Sequence, residues 1–319
     1  MGFARRARPS LLIFAVTVLI FPGIALAFDQ AAALAAAEAQ VESIRAMPLE
    51  TQCVSEILSP FSESDLVEVH PDGTAVIQQV ARSTGQKVTR EVSVSDEYDP
   101  PLLRGVSVQT RCEWGGKQSY HSLNEARGDE NTVVYDGERT LIIEHSGPYD
   151  RTSGTILAGR QMPMGGHSAF GYAALLKRVL ARDGVPTLEV GGHPSSVMLR
   201  WADGEFESKA EILVQEGFPP ALLFVATVRE GRMRDQRLFS DFVTVGTARL
   251  PSTVVEEKFA LNGELETRFT HSDIRYTILD EEVAAEMLLV DESRLDDVNS
   301  RSSGTLIPTA RALANQRRP

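Results

Sequence analysis

The chain has 319 residues, 42% hydrophobic and 24% charged, a composition that excludes collagen-like, wholly disordered and disulfide-dense classes. Lysine and arginine total 32 against 44 aspartates and glutamates. Without Arg5, Arg6 and Arg8, which lie in the leader described next, 29 basic residues face 44 acidic ones and the net charge is −15; such a body is repelled by phosphate backbones and anionic headgroups, which disfavours nucleic acid and broad membrane adsorption.

Residues 1–27 read as a secretory signal peptide. Arg5, Arg6 and Arg8 form a basic start, Leu11 to Ile20 an apolar stretch, Pro22-Gly23 a helix break, and Ala25-Leu26-Ala27 a small-x-small cleavage site before Phe28. The apolar run stops short of the ~20 residues a bilayer span needs, and no later segment is long and apolar enough. No cysteine follows the cleavage site to carry a lipid. The Arg5-Arg6 pair leaves general and twin-arginine export both open. The expected product is periplasmic or otherwise exported, and soluble after cleavage. Its two cysteines, Cys53 and Cys112, are expected to pair as a disulfide in an oxidising compartment, stabilising the fold by roughly 4 kcal/mol; two free buried thiols are the alternative. The absence of Cys-x-x-Cys argues against a thiol oxidoreductase.

Asp29 can cap a helix whose apolar positions Leu34, Ala37, Val41 and Ile44 recur three and four apart until Pro48 ends it. From Leu66 the period becomes two. Leu66 to His70, Thr74 to Val80, Lys87 to Val94 and Gly105 to Trp114 read as successive strands, followed by Asn131 to Tyr135 and Thr140 to His145 about the Asp136-Gly137 turn. Strands accumulating without helices between them exclude a doubly wound parallel fold. Ser146 to Gly166 is punctuated by Gly147, Pro148, Gly154, Gly159, Pro163, Gly165 and Gly166 and reads as a long irregular segment, either a lid or an inert excursion. A second helix follows with Ser168 at its N-cap and Tyr172, Leu175, Leu176 and Val179 along one stripe.

Strands then resume at Ser196 to Trp201, Glu207 to Gln215, Leu222 to Arg229 and Arg234 to Phe239. In the last hairpin, a three-residue loop Leu261-Asn262-Gly263 with a left-handed Gly263 sets Phe259 opposite Leu265 and Val255 opposite Phe269. That register gathers apolar residues on one face and puts Glu256, Lys258, Glu264, Glu266 and Arg268 on the other. Asp273 to Leu279 reads as a further strand, and the chain from Asp291 to Pro319 as a mostly disordered tail. The expected fold class is α+β, mainly β, with an antiparallel sheet in one domain and the inserted helix covering it.

This element order, together with Tyr135-Asp136-Gly137-Glu138-Arg139, the strand pair around Arg229-Glu230-Gly231, and Gly246-Thr247-Ala248-Arg249-Leu250-Pro251 before the final hairpin, resembles the outer-membrane lipoprotein carrier (LolA-like) superfamily. The likeness spans residues 28–290. It implies a curved antiparallel sheet forming an incomplete β-barrel, with the N-terminal helix and the inserted helix covering the concave face: a periplasmic half-barrel that receives acyl chains of lipoproteins or other hydrophobic ligands, with an envelope protein as a further partner class. The ligand wall would be Tyr172, Leu175, Leu176 and Val179 of the helix and Val255, Phe259, Leu265 and Phe269 of the hairpin. A non-enzymatic interaction or stress-sensor protein with a filled barrel is the alternative.

Catalytic and cofactor signatures are lacking: no Gly-x-Ser-x-Gly elbow, no His-Glu-x-x-His and no phosphate-binding Gly-x-x-x-x-Gly-Lys-Ser/Thr. No cofactor and no metal are expected. Four of the six histidines, His121, His145, His167 and His271, are followed by serine, which leaves an extracytoplasmic hydrolase as a third class, although dipeptides do not establish a triad. His167 and His193, each after Gly-Gly, offer two imidazoles to a metal but no further ligands at recognisable spacing. Glu144 and His145 are strand neighbours that face opposite ways. Trp114 and Trp201 fit barrel packing better than ligand stacking.

Overall fold

In the computed structural model the described residues are 28–60, 66–80, 87–95, 102–124, 128–146, 151–161, 167–182, 187–190, 192–193 and 195–295. The expected signal peptide and most of the expected tail therefore lie outside the described residues. Asp29 caps α1 (Gln30–Ala46) by accepting from the Ala32 amide at 3.0 Å, and Pro48 follows the last turn as the sequence requires. The chain then runs through β1 (Leu49–Ser59), β2 (Leu66–Val69), β3 (Thr74–Val80), β4 (Lys87–Ser95), β5 (Leu102–Trp114), β6 (Lys117–Asn124), β7 (Asp129–Tyr135), β8 (Arg139–Ser146) and β9 (Arg151–Ala158). After α2 (Ala169–Leu180) come β10 (Thr187–Val190), β11 (Ser196–Asp203), β12 (Phe206–Leu213), β13 (Ala221–Arg229), β14 (Arg232–Val245), β15 (Ala248–Phe259), β16 (Leu265–Ile278) and α3 (Glu281–Met287).

The strands form one antiparallel sheet in the order β10-β11-β12-β13-β14-β15-β16-β1-β5-β6-β7-β8-β9, with β2, β3 and β4 attached as a side flap through Val94↔Leu103 and Ser95↔Leu102. Edges β9 and β10 do not pair, so the sheet is open. The architecture is the expected mainly-β half-barrel, with α1 and α2 on its inner face and α3 on the other. Strand β1 joins the two halves, pairing with β16 on one side and β5 on the other.

Each half buries a different face. Helices α1 and α2 close an oily core on the inner face, where Val41, Ile44, Leu176 and Val179 meet Leu199, Ile212, Leu222, Leu250, Val254 and Ile274 of β11 to β16. On the outer face of β7 to β9, Val134, Leu141, Ile143 and Ile156 are covered by Val290 and Leu295, and Ala284 and Leu288, in and just after α3, cover Cys112 and Trp114 of β5. The packed body thus includes 291–295, and this outer strap is absent from the sequence reading.

Several expectations are corrected. The segment expected to be irregular contains β9, which pairs with β8 from Arg139↔Ala158 to Ser146↔Arg151. Its Gly154 makes room for Leu295, since a Cβ there would run into Leu295 Cδ2 and push that side chain out of its seat. Asp273 to Leu279 is not a separate strand: β16 continues through a bulge opposite Gln52 and Val54, where Asp273 takes a φ of 52°.

In the final hairpin Phe259 does face Leu265 and Gly263 is left-handed at φ 91°. A bulge at Lys258/Phe259 then slips the ladder by one, so Val255 lies opposite Thr270 and Phe269 opposite Glu256. The apolar residues do not collect on one face, because the bulge reverses the alternation beyond it.

The disulfide expected between Cys53 and Cys112 is not made; both are free and buried. Cys53 lies opposite Gln109 in the β1–β5 ladder and Cys112 opposite Glu50. Three residues of offset is about 10 Å along the strand and an odd step, which turns the two side chains to opposite faces of the sheet. Cys53 joins the inner core and Cys112 the outer strap.

Candidate functional site

Alternation along β1, β5 and β6 places Thr51, Cys53, Gln109, Arg111, Glu113, Gln118 and Tyr120 on the helix-bearing face. Tyr276 lies opposite Thr51, and His271 opposite Ser55. Together they form a buried polar basin where β16, β1, β5 and β6 meet beneath the start of α2.

The basin has a latched rim. The Glu113 carboxylate accepts from Gln118 Nε2 at 2.7 Å, from the Ser168 hydroxyl at 2.6 Å and from the Phe170 amide at 3.2 Å. Ser168 Oγ in turn accepts from the Gly171 amide at 2.9 Å. A carboxylate and a serine thus satisfy open amides of the first turn of α2, where negative charge is favoured by the helix dipole. Gln118 Oε1 accepts from Arg160 Nη2 at 2.6 Å, tying the stretch after β9 to the same rim.

The floor is different. Tyr276 Oη is 2.7 Å from the Pro251 carbonyl and 2.6 Å from His167 Nε2. The carbonyl can only accept, so the tyrosine donates its single proton there and His167 donates from Nε2. Burial, with His271 and Arg111 nearby, lowers the His167 pKa to about 3, which keeps the ring neutral. His271 is 0% exposed, neither ring nitrogen has a partner among the described residues, and burial together with Arg111 lowers it to about 4. Arg111 is 7% exposed. Its guanidinium carbon lies 5.3 Å from the Tyr120 ring centroid, while Nε and Nη2 have no hydrogen-bond partner among the described residues. Thr51, opposite Arg111 across the ladder, is 2% exposed with an unpartnered hydroxyl. Burial pushes the Cys53 thiol up to about 11 despite Arg111 and the His167 amide, so it is not a poised nucleophile.

The residues expected to line a ligand wall divide into two groups. Tyr172, Leu176 and Val179 are buried in the inner core and Leu175 packs against it. The Tyr172 hydroxyl accepts from the Leu222 amide at 2.9 Å, and its ring meets Phe239 edge-on at 5.1 Å. Val255, Phe259, Leu265 and Phe269 are half-buried in the hairpin and outside that core. Of these, Phe269 reaches the basin by stacking on His271 at 6.4 Å.

Among the described residues the histidine rings do not build a serine triad: His121 Nδ1 meets Thr132 Oγ1 at 3.2 Å, His145 Nδ1 meets Thr152 Oγ1 at 2.9 Å, and His193 Nδ1 accepts from the backbone amide of Ser195 at 3.1 Å. His193 is exposed beside Glu211, away from buried His167, and no cluster of metal-ligating side chains occurs among the described residues. Trp201 sits in the inner core beneath Arg182 at 5.5 Å, and Trp114 under α3.

The fold is an open, antiparallel, mainly-β sheet with α1 and α2 on its inner face and the polar basin beside them. Among solved structures the chain is similar to a putative outer membrane lipoprotein-sorting protein domain from Vibrio parahaemolyticus, at 10% identity and a TM-score of 0.35 over 81% of this chain and 98% of that one. It is also similar to a DUF1329 family protein from Desulfovibrio piger, at 8% identity and 0.35 over 83% and 98%. A third likeness is a LolA superfamily protein from Nitrosomonas europaea, at 10% identity and 0.27 over 79% and 96%. No protein-family model matches the sequence, and no curated protein does. No helix of the described residues is long and apolar enough to cross a membrane.

Proposed function

We propose that this protein is an exported, periplasmic binding protein that holds a hydrophobic ligand, an acyl chain or the acyl chains of a lipoprotein, on the inner face of its half-barrel. The observation that carries the reading is α2. It is an amphipathic helix inserted between two strand sets, and its Tyr172, Leu176 and Val179 stripe plugs the oily half of an open sheet. A plug of this kind is core when the barrel is empty and wall when it is loaded, and each buried methylene of the ligand would contribute about 0.8 kcal/mol. Release then rests on movement of α2 against its Glu113 latch, since much of the segment expected to act as a lid is strand β9. The activity is binding, with no bond-making step. An environment-sensitive apolar fluorophore should be taken up by the purified protein and displaced by a long-chain fatty acid; absence of displaceable uptake would refute the carrier reading.

A second reading has its own observation. The core under α2 is filled by side chains, with Tyr172 against Phe239 and Leu176 fully buried, as suits an interaction or sensor protein whose barrel is a scaffold. The same assay separates the two, because a scaffold takes up no fluorophore.

A further inference from the structure

We infer that the basin between β16, β1, β5 and β6 receives the anionic headgroup of an amphiphile, a carboxylate or a phosphate ester on an acyl chain, with Arg111 as counter-charge and Thr51 and His271 as hydrogen-bonding partners. This rests on the carrier reading above and names the end of the ligand which that reading leaves open.

Three observations converge. First, Arg111 is more than nine-tenths buried, yet Nε and Nη2 have no partner and no ion pair to it occurs among the described residues. An unmatched buried charge is costly to fold, and an apolar residue of similar size would be tolerated in its place. Glu113, two residues along on the same face, is engaged by Gln118, Ser168 and the Phe170 amide. Secondly, neutral groups without partners share its face. Thr51 is the β1 residue opposite Arg111 in the ladder, and His271, which feels the Arg111 charge, has both nitrogens buried without partners among the described residues. A neutral imidazole donates one hydrogen bond and a hydroxyl another, and with the guanidinium fork they match the several acceptor oxygens of a carboxylate or phosphate.

Thirdly, the surroundings suit an amphiphile. Gln109, Ser122 and Asn131 continue the inner face from the basin toward β7 as a half-buried polar row. On the other side Phe269 stacks on His271, and Val254, opposite His271, belongs to the oily core. A headgroup at Arg111 therefore has apolar wall on one flank and polar wall on the other. The chain has 32 basic against 44 acidic residues, so net charge does not draw an anion to the surface at large, whereas the low dielectric around buried Arg111 strengthens a charge pair there.

The test measures binding of laurate, dodecyl phosphate and dodecanol, three amphiphiles with one tail, to the full-length protein and to Arg111→Met and Thr51→Val. The parent is expected to bind both anions about tenfold or more tightly than dodecanol, with the ratio between laurate and dodecyl phosphate separating a carboxylate source from a phosphate source. Arg111→Met should remove the preference while leaving dodecanol binding within about twofold. Thr51→Val, which deletes an unpartnered buried hydroxyl and so is compatible with folding, should weaken the anions several-fold and leave dodecanol alone. Equal affinity of the parent for dodecanol and the anions, or parallel losses for all three ligands in both variants, would overturn the headgroup site and leave the carrier reading intact. Failure of all three to bind the parent would overturn both.

Discussion

His271 gives the sharpest stability prediction. Its imidazole is fully buried with two partnerless nitrogens, so the folded protein resists charging it and its pKa drops from 6.5 to about 4. The unfolded chain takes up this proton near pH 6.5 and the folded chain only near 4. The stabilisation from holding the ring neutral is therefore fully present above 6.5 and is lost as the pH falls through that window. Each tenfold change in proton affinity is about 1.4 kcal/mol, which makes the loss about 3 kcal/mol. His167, lowered to about 3 beneath α2, extends the same decline further into acid. Replacing His271 with leucine removes an unpaired polar ring and its titration together. Urea unfolding of parent and His271→Leu at intervals between pH 7 and pH 4 should show the variant more stable by about 1–2 kcal/mol at pH 7. Its acid-induced loss should be smaller than the parent's by about 3 kcal/mol. A variant that loses stability with acid as steeply as its parent would refute the argument.

Gly154→Ala places a methyl where Leu295 Cδ2 sits and should cost about 1–3 kcal/mol in thermal or urea unfolding. Leu295→Ala should recover part of that loss in a double-mutant cycle, whereas additive effects would show that the strap does not seat there. Glu113→Ala frees the Ser168 hydroxyl and the Phe170 amide and should destabilise by about 1–3 kcal/mol, with faster amide exchange in the first turn of α2 than in α1. Cys53 and Cys112, pushed up to about 11 and about 12 mainly by burial, should resist alkylation at pH 8 in the folded protein. After unfolding without reductant both should label, as seen by intact mass; a mass two protons short with no labelling would contradict the register.

The parts of the fold that were legible in the sequence are those with a strong local cause. Asp29 and Ser168 both cap helices as their side chains imply, and Gly263 makes the three-residue loop. Strand β1 was missed because its inward positions are Thr51, Cys53 and Ser55, which do not read as an apolar face. Strand β9 was hidden by Gly154, whose role depends on Leu295 more than a hundred residues away. The basin was concealed by an inverted pattern: in β5 the apolar Val106 and Val108 are 41% and 44% exposed, while Arg111 and Glu113 are buried. Alternation assigns faces but does not say which one is inside, so a strand whose charged residues point inward reads backwards. The one signal available was Arg111 and Glu113 spaced two apart on a strand otherwise rich in small polar residues, and it acquires meaning only once Thr51 and His271 are brought alongside.

The oily clusters lie on opposite sides of one sheet, under the helices for β11 to β16 and beneath the C-terminal strap for β7 to β9. Each wing carries its own clamp, and β1 with β5 is the seam between them. Both clamps also reach across the seam, since Glu113 of β5 grips the start of α2 and the segment after β16 lies over Cys112 and Trp114. Prising the wings apart there would break the inner latch and the outer strap at once, which makes the seam a rivet and not a hinge.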